Sequence, residues 1–196
     1  MAKVVLGAPV RVSGVALRPV ALTGTPGTGK SAVARALSGS LAVVEVADLA
    51  RVRGAARGRG RSVEVDVARL ARALRPAAAY DGIDVVVGHL AHLLPVRDAI
   101  VLRCHPAELA RRLARARRGS ADDREANFVC EATDLVEIEA VRSCRSVYEV
   151  DTTSRSVVDV AREVRRRVRE AGPSRVGTVD WLADPTVTTH LLARSR

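Results

Sequence analysis

Aromatic side chains are nearly missing from this chain of 196 residues: Tyr80, Phe128, Tyr148 and Trp181 are all there are. Base-stacking recognition of single-stranded nucleic acid needs several aromatic platforms, so that function class loses most of its support. The core must instead be aliphatic, since Ala, Val and Leu supply most of the 47% apolar content. The three cysteines, Cys104, Cys130 and Cys144, form no CxxC pair. This argues against zinc and against a disulfide framework, and makes a reducing, cytoplasmic setting the expectation. No apolar run approaches the roughly 18 residues of a membrane span. The first twenty residues are broken by Pro9, Arg11 and Arg18, unlike a signal peptide, so no membrane partner is expected. Lysine is the scarcest charge. Lys3 and Lys30 are the only lysines among 32 basic residues.

What is abundant is arginine. The net charge of +10 points to phosphate-bearing partners such as nucleotides, RNA or a ribosomal surface, although an Arg-rich, Lys-poor chain also reflects GC-rich coding. The length suits one domain. Residues 1–17 carry no pattern and read as an extension. Apolar runs at 19–24, 41–46, 83–89, 98–103 and 146–151 predict five strands, and the continuous ones are of the kind buried on both faces of a parallel sheet. Helical periodicity predicts helices over 30–41, 63–74, 106–118, 126–143 and 156–171. Between them, 48–62 starts as a helical turn and becomes an Arg/Gly segment, and 119–125 is a break. Strands alternating with helices imply an α/β domain of three layers with right-handed crossovers.

The sequence GTPGTGKS at 24–31 fits G-x-x-x-x-G-K-[ST] in full, after a predicted strand and opening a predicted helix. Gly24, Gly27 and Gly29 let the backbone curl its N–H groups toward phosphate oxygens. The helix N-terminus adds positive potential. A compact ammonium on a flexible stem reaches the β- and γ-phosphates where a planar guanidinium would not fit, which explains a lysine at 30 in so arginine-rich a chain. Ser31 offers its hydroxyl to Mg²⁺. The guanine-reading N-K-x-D motif of small GTPases cannot exist with these two lysines, and a helicase or ring ATPase would be larger. A nucleotide kinase remains. It requires an acceptor-binding insert, for which 45–63 is the candidate, and an arginine-bearing lid, for which 114–125 is the candidate.

The stretches LTGTPGTGKS (22–31), VADLAR (46–51), GHLAHLLP (88–95), IVLRCHP (100–106), RRG (117–119), REANFVCEATD (124–134), VYEVDTT (147–153) and VDWL (179–182) occur in an order that resembles the small adenylate kinases of archaea and the eukaryotic nucleus, the isoenzyme-six type. The resemblance implies a P-loop kinase domain over 18–182, with a tail over 183–196. It implies the nucleoside monophosphate kinase form of the P-loop fold, with a central five-stranded parallel sheet. ATP would be bound by Gly27, Thr28, Gly29, Lys30, Ser31, Ala32 and Arg118, with Mg²⁺ on Ser31. Lys30, His89 and Arg118 would be catalytic. Asp48 and Arg51 would contact the acceptor, AMP or another nucleoside monophosphate. Taken alone, His89 is a strand-end histidine capping a loop; the resemblance assigns it to phosphate and water positioning. His92 reads as structural, and Asp151 as a packing or adenine-side residue.

One position departs from the family pattern. The acid expected two residues before the histidine is Val87 here; Asp84, at the strand's start, is too far along it, at roughly 10 Å, which leaves Asp48 or Asp66 to compensate. The resemblance also implies ATPase activity and a role in small-subunit maturation, with a ribosomal protein of the S-eleven type and pre-ribosomal RNA as partners. Two readings thus stand: a kinase making ADP from ATP and AMP, or an ATP-switched ribosome-assembly factor in which AMP phosphorylation is incidental. A P-loop protein that binds nucleotide without turnover is the third.

Overall fold

The apolar runs at 19–24, 83–89 and 98–103 form the middle of a parallel sheet, as their unbroken hydrophobicity requires. The computed structural model describes residues 19–58, 63–170 and 172–194. The predicted extension over 1–17 and part of the Arg/Gly segment lie outside them. The elements in order are β1 (Val20–Thr23), α1 (Lys30–Leu37), β2 (Val43–Glu45), α2 (Val46–Val52), β3 (Ala56–Arg57), β4 (Glu64–Val65), α3 (Val67–Ala73), β5 (Val85–Val87), β6 (Asp98–Arg103), α4 (Pro106–Arg115), α5 (Ala121–Ala132), α6 (Leu135–Ser143), β7 (Ser146–Asp151), α7 (Val157–Arg169) and α8 (Pro185–Arg194). The main sheet has five strands in the order β2-β5-β1-β6-β7, all parallel. The five-stranded parallel architecture expected from the sequence is the one observed.

Period-two alternation divides the sheet residues between two cores. Leu22, Val85, Val87, Ile100, Leu102, Tyr148 and Val150 face α1 and α7. Ala21, Val86, Ala99, Val101 and Val147 face α2, α3 and α6. The P-loop helix α1 therefore lies on the same sheet face as Val85 and Val87.

Three local readings need correction. The helix predicted over 63–74 begins at Val67, because Asp66 accepts a hydrogen bond from the Arg69 N–H as an N-cap. Glu64–Val65 ahead of it is extended and pairs antiparallel with Ala56–Arg57. The break at 119–125 is shorter than predicted: Ser120 and Asp123 form a capping box that starts α5 at Ala121. The helix predicted over 126–143 is two helices. Asp134 between them is left-handed, with φ 56°, and its carboxylate is hydrogen-bonded to Arg103.

Beyond the sheet, α8 packs back onto α5. Val187 is buried with Phe128 and Ala132, and His190 lies 3.0 Å from Glu125.

Candidate functional site

The loop between β1 and α1 leaves the carboxyl edge of the sheet, where ligands of open α/β folds bind. Gly24, Gly27 and Gly29 all have positive φ, at 136°, 102° and 100°. Two of them also lack room for a side chain. A Cβ on Gly24 would sit 2.3 Å from the Leu102 carbonyl oxygen, and one on Gly27 3.1 Å from Leu113. Gly29 differs: among the described residues no atom lies within 4 Å of its would-be Cβ, so the loop is open there. Gly29 is the N-cap of α1, and its carbonyl accepts from the N–H groups of Ala32 and Val33. Thr28 is buried, and its hydroxyl donates to the Thr25 carbonyl at 2.9 Å. The Thr28 carbonyl in turn accepts from Thr152 at 3.0 Å, so the segment after β7 braces the loop from beneath. Asp151, at the end of β7, accepts from the Thr153 N–H and shapes that brace.

Lys30 folds back over the loop. Its Nζ donates to the carbonyls of Gly24 at 2.6 Å and Thr25 at 2.9 Å. Burial brings its pKa down to about 8; the negative charges of Glu131 and Glu45 oppose that fall, and Arg118 adds to it. Arg118, after the last turn of α4, is exposed and yet acts electrostatically on Lys30. The predicted lid arginine therefore borders the loop. Ser31 is exposed at the start of α1.

Thr23 at the end of β1 holds both histidines of GHLAHLLP. Its hydroxyl donates to the His89 carbonyl at 3.1 Å and lies 2.9 Å from His92 Nδ1. His92 is buried, with Nε2 3.2 Å from Glu139, a structural position. The His89 ring stands at the solvent edge. Partial desolvation, then the charges of Lys30 and His92, hold its pKa below the ordinary imidazole range. It is therefore neutral near pH 7, able to donate from one nitrogen and accept at the other.

Asp48 and Arg51 lie on α2 and pair with each other at 2.6 Å, both exposed. They stand beyond the end of β2. Val87 is fully buried in β5. Asp84 accepts from the Ala42 N–H at 2.8 Å, and Asp66 caps α3, so both are committed to structure.

Two features escaped the sequence reading. The first is Glu45, the last residue of β2, whose carboxyl is pushed up by partial burial and by Asp48, and drawn down by Lys30 and Arg35. The second is Arg103, fully buried at the end of β6 and hydrogen-bonded to Glu131, Glu137, Glu149 and Asp134. Glu131 also accepts from the Thr25 hydroxyl at 2.5 Å and the Trp181 indole at 3.2 Å, which ties the P-loop to the chain's end. The signal for Arg103 was a charge closing the apolar run DAIVLR; its partners lie some thirty or more positions away in sequence.

Comparison with known proteins agrees with this geometry. Residues 20–134 match a family model described as an AAA domain. Proteins named "Putative adenylate kinase" are 38% identical in Thermococcus onnurineus and 39% identical in Pyrococcus furiosus, each alignment covering 83% of this chain and 90% of the relative. One from Halobacterium salinarum is 40% identical over 83% of this chain and 96% of its own length. Among solved structures, shikimate kinase from Acinetobacter baumannii superposes with TM-score 0.54 at 14% identity, covering 78% of this chain and 93% of that one, a likeness of fold. None of the described helices is long and apolar enough to cross a membrane. The chain belongs to the adenylate kinase-like nucleoside monophosphate kinase family.

Proposed function

We propose that this chain transfers the γ-phosphoryl group of ATP to a nucleoside monophosphate, with AMP as the acceptor, and hydrolyses ATP slowly when no acceptor is bound. The observation that carries the reading is the phosphate cradle itself: three left-handed glycines, an open face at Gly29, and Lys30 held over the loop. Lys30 would turn from the loop carbonyls to the β- and γ-phosphates. Arg118 would neutralise charge developing on the transferred group. His89, neutral at the rim, would orient the acceptor oxygen or a water. Gly27, Thr28, Gly29 and Ala32 would shape the cradle, chiefly through the backbone. Asp48 and Arg51 would meet the acceptor from α2. Mg²⁺, when bound, screens the phosphates; the Ser31 hydroxyl fits such a hard cation, which takes oxygen donors and retains waters. There is little covalent chemistry for the protein to do, so alignment and charge screening account for the rate.

The second reading, an ATP-switched factor at the ribosomal small subunit, draws support from the net charge of +10 and from arginines exposed along α7, Arg162 among them. One assay separates the two. Purified protein is given ATP and Mg²⁺ with and without AMP, and ADP is followed, with Lys30→Ala as control. The kinase reading expects fast ADP formation only with AMP, falling at least a hundredfold in Lys30→Ala. Slow turnover indifferent to AMP favours the switch. Turnover that survives Lys30→Ala overturns both.

A further inference from the structure

In P-loop NTPases the nucleotide's Mg²⁺ is held by the loop's Ser or Thr and by a carboxylate at the end of a neighbouring strand. Here that neighbour of β1 is β5, whose three residues are buried valines. Asp84 and Asp66 are bound elsewhere, as described above. We propose that Glu45 supplies the missing carboxylate, ordering the nucleotide's Mg²⁺ from the end of β2 instead of β5. The inference rests on the kinase reading and adds a metal-positioning residue to it.

Register and face both place Glu45 correctly. It pairs with Val87 in the parallel ladder, so it stands at the same height along the sheet as the absent acid. Alternation puts Glu45 on the face of Val43, Val85 and Val87, the face that α1 covers. That helix begins with Lys30 and Ser31 and carries Arg35 one turn on. The charges of Lys30 and Arg35 both act on Glu45. Among the described residues the half-buried carboxylate accepts no side-chain or backbone hydrogen bond, and the Ser31 hydroxyl makes none. Magnitude then decides how Glu45 would reach the ion. Moving one strand outward adds about 4.8 Å, and the extra methylene of Glu over Asp recovers only part of it. Mg²⁺ keeps several of its waters in such sites, so the contact runs through a metal-bound water. This carboxylate therefore tunes metal affinity, an effect on the order of tenfold.

The test is calorimetric binding of AMP-PNP, a non-hydrolysable ATP analogue, with and without Mg²⁺. In the wild-type protein Mg²⁺ tightens binding. In Glu45→Gln the Mg²⁺-dependent gain falls about tenfold, while Mg²⁺-free binding is unchanged or tighter, because a negative charge has left the neighbourhood of the phosphates. Mere damage to the fold would weaken both. Glu45→Asp keeps part of the gain. Glu45→Ala serves as a second removal, with folding of each variant checked by thermal unfolding. The proposal fails if either removal retains the wild-type gain within twofold. It fails equally if Asp48→Asn, and not Glu45→Gln, loses the gain, or if the wild-type protein shows none. Binding that ignores Lys30→Ala would instead sink the kinase reading itself.

Discussion

Arg103 meets four carboxylates with one guanidinium, all within hydrogen-bond reach. Like charges crowded together in a poorly solvated space disfavour ionisation, and two of these carboxyls respond. Desolvation, then the hydrogen bond and charge of Glu149, push Glu137 up to about 7. Asp134 is raised as well, by burial first. The sign for stability follows. A carboxyl whose folded pKa lies above its unfolded value holds its proton more tightly when folded. Its contribution is complete below about pH 4.5 and disappears as pH rises through about 7. We expect the unfolding free energy to fall by about 1–3 kcal/mol between pH 5 and pH 8 through this group. Glu137→Gln, which mimics the protonated side chain, flattens that slope. Urea unfolding of both proteins at pH 5, 6, 7 and 8 checks it; parallel slopes would remove Glu137 as the cause.

At the scale of elements, the P-loop was legible because its chemistry is local. Eight consecutive residues specify the turn, the anion site and the helix that follows, and the apolar runs specify the sheet beneath. Hidden were the features set by partners distant in sequence. The division of 126–143 at Asp134 follows from Arg103, some thirty positions away, and no helical periodicity announces it. The extended start of 63–74 follows from pairing with Ala56–Arg57. Glu45 was passed over because only register places it beside Val87. Within the loop itself, the three glycines are not equivalent. At Gly24 a methyl group meets the Leu102 carbonyl of β6, a rigid backbone atom, at 2.3 Å. At Gly29 it meets none of the described residues within 4 Å, and the left-handed φ opposes it. Gly29→Ala should therefore cost roughly 1–2 kcal/mol of strain. Gly24→Ala should cost more, because strand and loop must separate. Unfolding midpoints rank them: Gly24→Ala lower than Gly29→Ala. The reverse order would mean that the loop relaxes away from β6 freely.

Across the whole molecule, one carboxylate joins the nucleotide loop to Trp181, just ahead of α8. Glu131 takes the Thr25 hydroxyl on Oε2 and the Trp181 indole on Oε1, and it also accepts from the Cys104 N–H at the end of β6. The Thr25 carbonyl accepts from both Lys30 Nζ and the Thr28 hydroxyl. On the kinase reading Lys30 would turn to phosphate, which would release its bond and let the turn around Thr25 resettle. We expect the hydrogen bonds through Glu131 to carry such a shift to their other end, a coupling that only measurement can demonstrate. That end is the chain's only tryptophan, so the consequence is optically visible. AMP-PNP with Mg²⁺ should change Trp181 emission saturably, with a midpoint equal to that found calorimetrically. Thr25→Val cuts the link at the loop and leaves the indole bond intact. Its emission change at saturation should shrink to less than half of the wild-type amplitude, whatever happens to affinity. An undiminished change in Thr25→Val would mean that Trp181 senses the nucleotide by another route, such as movement of α4 and Arg118, and that the buried network is a brace without a signalling role.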